Sequence, residues 1–93
     1  MTLIQQTYSL LREADLVRTR EQFSTAYVGK NPNWYSYQTH VGRDFSVLAA
    51  AHCLRAVSKL EHAQSIKPTQ RRSVARVSAL LSGYLREQHL ALV

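Results

Sequence analysis

The chain has 93 residues, enough for one domain with a modest core of its own. Twelve Lys and Arg against six Asp and Glu leave a formal charge of +6, a balance that suits a polyanionic partner such as nucleic acid and also a merely solvated basic surface. The lone cysteine, Cys53, excludes an intrachain disulfide, and there is no run of about 18 apolar residues and no basic leader with a small-residue cleavage site. The expectation is therefore a cytoplasmic protein with no membrane span.

In chain order, Leu3, Thr7, Leu10, Leu11 and Ala14 fall on one face of a first helix, which Thr2 can cap. Thr19 can cap a second helix over about 20–28, with Gln22 completing a Thr-x-x-Gln capping box. Gly29 ends that helix, Asn31-Pro32 starts a third over about 32–40, with asparagine as N-cap and proline in the first helical position, and Gly42 closes it. Asp44 or Ser46 can cap a fourth helix over about 45–64, whose first half, FSVLAAAHCLRAV, is apolar nearly all round.

Lys67-Pro68 breaks the fourth helix, and Thr69 can cap a fifth over about 69–89. The short connector predicts an antiparallel hairpin. Ala49, Cys53, Ala56 and Ala63 on one helix and Ala75, Ala79 and Gly83 on the other form stripes of small residues that would allow close approach. A second stripe on the fifth helix, Val74, Val77, Leu81, Tyr84 and Ala91, has heptad-like spacing. It either joins the core of the same chain or forms a homodimer interface. The expected fold is a single all-α domain, 1–93, of five helices with a helix-turn-helix and a long C-terminal hairpin.

Residues 19–43 read as two short helices around a tight turn, the second carrying polar and aromatic side chains. Arg20, Phe23, Ser24, Tyr27 and Gly29 stand where the phage-repressor (Cro/C1-like) helix-turn-helix family has Gln-x-x-Leu-Ala-x-x-x-Gly, and the segment resembles that family over about 24 residues. It departs from the pattern in three places. Ser24 stands for the usual alanine, Val28 is one extra residue before the glycine, and Gln38 stands for an apolar core residue. Phe23, Tyr27 and Tyr35 are expected to face the core. The resemblance implies double-stranded DNA as partner, with the helix 32–40 in the major groove.

On that reading Arg20, Asn31, Asn33, Trp34 and Tyr37 are the candidate base-contacting residues. Asn33 suits a bidentate contact to adenine, and Trp34 either stacks on the DNA or, if the extra residue rotates the helix, belongs to the core. Arg18, Lys30, His40 and Arg43 flank the motif as candidate phosphate contacts, joined by Arg71 and Arg72 at the start of the fifth helix. Lys67, Arg71, Arg72 and Arg76 oppose the dipole of that helix, which points either to an external anion or to plain solvation. Two copies would read half-sites about one helical turn apart, with Val74, Val77, Leu81 and Tyr84 as the candidate dimer surface.

His52 and Cys53 are adjacent and no Cys-x-x-Cys or His-x3-His pair converges, so no metal is expected. No phosphate loop, nucleophile elbow or paired carboxylate motif is present, so neither cofactor nor enzyme activity is expected. The reading from sequence is a small helix-turn-helix transcriptional regulator. The alternative is a helical adaptor that binds a protein partner through Trp34, Tyr35, Tyr37 and the basic surface.

Overall fold

The computed structural model describes the backbone of residues 1–92 and the side chains of residues 1–88. Five helices follow in the expected order: α1 (Leu3–Glu13), α2 (Arg20–Gln22, continued by a π-helical turn, Phe23–Tyr27), α3 (Trp34–Val41), α4 (Val47–Glu61) and α5 (Pro68–Leu92). Among the described residues there is no strand. The domain is all-α, with α4 and α5 as its long hairpin.

The local signals act largely as read. Thr2 caps α1 in a full capping box: its Oγ1 accepts from the Gln5 N–H at 3.2 Å, and its own N–H donates to Gln5 Oε1 at 3.0 Å. Ser46, rather than Asp44, caps α4 by accepting from Ala49 N–H at 3.1 Å. Thr19 caps α2. Gln22 does not complete its box, because Oε1 accepts from the Arg18 N–H, one residue earlier, at 2.8 Å. Asn31 Oδ1 accepts from the Asn33 N–H at 2.9 Å in an Asx turn, and α3 begins at Trp34, two residues beyond the expected start. Nor is Thr69 the cap of α5. Pro68 is its first residue, where no N–H is needed, and Gln70 Oε1 accepts from the Lys67 N–H.

Contacts at both ends fix the hairpin as antiparallel. At one, the Arg71 guanidinium donates to the Glu61 and Ala63 carbonyls, and at the other the Tyr84 hydroxyl donates to the Phe45 carbonyl. Helix α5 packs through Val74, Val77 and Leu81, all 0% exposed, while Ala75 and Ala79 are exposed and a Cβ on Gly83 would meet nothing within 4 Å. The expected close approach through small residues is therefore absent from α5. Large apolar side chains bury more surface per residue, and they take the inner face. Helix α1 packs along α5, its C-terminal Ala14 carbonyl accepting from Gln70 Nε2 at 3.0 Å.

Asp44 has a different task from the capping expected of it. Its carboxylate accepts from the N–H groups of Leu3 at 2.9 Å and Ile4 at 3.0 Å, and from its own neighbour Phe45. It satisfies two of the four N–H groups that α1 cannot satisfy internally, and places negative charge at the positive end of that helix. The start of α1 is thereby tied to the end of the α2–α3 motif.

Candidate nucleic-acid interface

Helices α2 and α3 are positioned by an aromatic cluster and one hydroxyl. Phe23, Tyr27 and Tyr35 face the core as expected, and Phe23 meets Tyr8 and Tyr35 edge-on at 5.7 and 5.9 Å between centroids. Tyr27 donates from its hydroxyl to the Leu16 carbonyl at 2.6 Å, and burial raises its pKa, with Cys53 adding to the rise. Ser24 is 0% exposed. Its Oγ donates to the Arg20 carbonyl at 3.0 Å and accepts from the Tyr35 N–H at 3.0 Å, so it bridges α2 to the first turn of α3. An alanine at this position would leave that N–H without a partner.

The extra residue before Gly29 is taken up by the π turn. The Val28 N–H reaches back five residues to the Phe23 carbonyl at 3.2 Å, and the Lys30 N–H six residues to the Ser24 carbonyl at 2.9 Å. Without the added residue the second bond would be the six-to-one bond of a Schellman end. That ordinary form closes α3, where Gly42 is left-handed (φ 73°) and the Arg43 N–H donates to the Gln38 carbonyl at 2.9 Å. Gly29 is left-handed as well (φ 72°). A single inserted residue thus widens one turn locally while the glycine stop is retained.

With Tyr35 turned inward, α3 exposes Ser36, Tyr37 and His40, and Asn33 is exposed at its N-cap. Tyr37 is 57% exposed, and Asn31 lies at the outer edge of the same end. Arg20 sits with its guanidinium carbon 5.7 Å from the Tyr35 ring centroid, a cation–π placement that holds it beside α3. Arg20, Tyr35, Ser36, Thr39 and His40, with Gln5 from α1, line a cleft of about 310 Å³. Ser36 and Gln5 were not singled out from sequence. The spacing 33, 36, 40 could have brought in Ser36, but nothing local points to Gln5. Arg18, Lys30 and Arg43 are exposed around the motif.

Four expectations are corrected. Trp34 is half-buried against Phe45, with centroids 5.8 Å apart, so it belongs to the edge of the core and not to the base-reading set. The same packing, with Tyr35 buried, leaves Tyr37 alone of the three aromatics and dissolves the adaptor patch Trp34, Tyr35, Tyr37. Arg71 is occupied by the last carbonyls of α4, whose negative helix end offsets the unfavourable dipole of α5. Arg72 is exposed, but it lies twelve residues before Tyr84, about 18 Å along α5 from the end that meets Phe45 beside α3. Neither arginine shares the α3 surface as a phosphate contact.

The candidate dimer surface is also corrected. Val74, Val77 and Leu81 are fully buried within the chain's own core, and Tyr84 is half-buried, so the stripe is consumed by α4 and α1. Ala91, the last member of that stripe, lies outside the described side chains. No group of three or more His, Cys, Asp and Glu among the described residues could hold a metal ion, and no helix there is long and apolar enough to cross a membrane.

A family model described as "Family of unknown function (DUF6626)" matches residues 4–91, and the chain belongs to that family. No curated protein and no solved structure matches it.

Proposed function

We propose that this protein is a small regulator that reads double-stranded DNA by inserting α3 into the major groove. The observation that carries the reading is the α2–α3 arrangement itself. Ser24 and the aromatic cluster fix α3 from behind, and its outer face offers Asn33, Ser36, Tyr37 and His40. Asn33, with Asn31 beside it, stands at the N-terminal end, the end that reaches base edges in helix-turn-helix readers. Asn33 presents the paired donor and acceptor that adenine requires, and Tyr37 follows one turn later.

Arg20, Lys30 and Arg43 surround that stripe, His40 stands at its end, and Arg18 precedes α2. They would neutralise phosphates on both sides of the groove and position the domain without selecting sequence. Arg20 is assigned to the border between base and phosphate contacts, held over Tyr35. One helix of eight residues reads few base pairs, so two copies on a pseudo-palindromic site complete the proposal.

Selection from a random duplex library, followed by sequencing, tests it. A palindromic motif is expected. Affinity should fall steeply with salt, Asn33→Ala should relax preference at one position, and Arg43→Ala should weaken all sequences alike and reduce the salt slope by about one. Absence of duplex binding at low salt rejects the proposal.

A further inference from the structure

On the opposite side of α2 from α3, a groove of about 340 Å³ separates the π turn from α4. Ser24 turns toward α3, and Ala26, two residues later and roughly half a turn round, faces α4. The floor is apolar, formed by Ala26, Tyr27, Ala56 and Leu60. Arg55 and Lys59, one helical turn apart on α4, stand at its rim with His52 a further turn back, and no carboxylate lines it.

We propose that this groove receives an acidic amphipathic helix from a protein partner. The cations call for carboxylates at matching one-turn spacing, and the floor calls for apolar side chains between them. A nucleic-acid backbone would satisfy the cations but would leave the apolar floor unused, so the pairing of the two favours a protein helix. From His52 to Lys59 the rim spans about 10 Å, two turns of such a helix.

The groove also touches the turn that sets α3. A Cβ on Gly29 would come 2.6 Å from His52 Nε2, so the imidazole lies directly on the glycine that ends the π turn. An occupant that displaces His52 would press on the link between α2 and α3. This consequence for DNA rests on the proposed function, whereas docking itself does not.

The test uses the full chain, isotopically labelled, titrated with a synthetic helix of about 18 residues that carries leucines on one face and glutamates along its flanks. Amide shifts should centre on Ala26, His52, Arg55, Lys59 and Leu60. Arg55→Glu combined with Lys59→Glu, both at exposed positions, should weaken binding at least tenfold with helical circular dichroism unchanged. Lys59→Glu alone gives a smaller loss, and Arg86→Glu on α5 gives none. The proposal is overturned by no binding at about 1 mM peptide, by shifts centred on α3, by equal affinity in the double variant, or by equal binding of a lysine-flanked peptide. No DNA is present, so the outcome is independent of whether α3 reads DNA.

Discussion

Ser24→Ala separates this molecule from the helix-turn-helix pattern it resembles, in which alanine is usual at that position. In a helix, alanine is the better former by roughly 0.5 kcal/mol, so a purely local argument predicts a small gain. The structure predicts a loss. Removal of the hydroxyl strands the Tyr35 N–H, which lies in the first turn of α3 where no helical carbonyl can accept it, in a site with no solvent access. An unsatisfied buried donor costs about 1–3 kcal/mol, and the Arg20 carbonyl loses one of its partners as well. The net loss is about 0.5–2.5 kcal/mol, or roughly 2–20 °C in Tm for a domain of this size. Urea denaturation followed by Trp34 fluorescence gives the free energy, and hydrogen exchange at the Tyr35 amide locates it. A variant as stable as the parent, with that amide still protected, would refute the reasoning.

Three further outcomes follow from particular atoms. Thr7 Oγ1 is buried with no hydrogen-bond partner, so Thr7→Val should stabilise by about 1 kcal/mol in the same denaturation assay. Gly29→Ala combines a left-handed backbone with a clash on His52 and should cost more than Gly42→Ala, where the space is open. Pairing Gly29→Ala with His52→Ala should recover the difference, as a double-mutant cycle would measure. Burial pushes the Cys53 thiol from 9.0 up to about 12. Its contribution is therefore fully present below pH 9 and is lost as pH rises toward 12, at about 1.4 kcal/mol per unit. Cys53→Ala should flatten that part of the stability curve, and the native thiol should react slowly with alkylating reagents at neutral pH.

What could be read from sequence divides by the distance between partners. The caps at Thr2, Thr19 and Ser46, the glycine stops and the break at Pro68 were legible because each depends on residues within three or four positions, as Thr2 with Gln5 shows. The ties of Asp44 to α1 and of Arg71 to the end of α4 cross 40 and 10 residues, and nothing in their neighbourhoods announces them. Helix α5 carried two stripes of similar period, and which one faced inward depended on the helices packed against it. The candidate site was legible for the same reason as the caps. Tyr37 and His40 lie on one short helix and Asn33 is its N-cap, so their common face follows from spacing, whereas Gln5 reaches the cleft only through the packing of α1.

The π turn makes a stronger test of how that face is held. Its inward residues, Phe23, Ser24, Tyr27 and Val28, are spaced i, i+1, i+4 and i+5, a set that spans about 140° at the α-helical spacing of about 100° per residue and less in the wider π turn. Removal of the exposed Thr25 brings the set to i, i+1, i+3 and i+4, an arc of about 160° on an α-helix, and restores the spacing of a normal Schellman end before Gly29. If the π turn only absorbs an added residue, the deletion variant should fold with stability within about 1 kcal/mol of the parent and keep the Tyr35 amide protected by Ser24. If the wider turn is instead what positions α3, the deletion should unlatch that bond, expose the Tyr35 amide to exchange and destabilise the domain as Ser24→Ala does. Comparing exchange at this one amide in the two variants decides whether the orientation of α3 resides in the turn or in the hydroxyl.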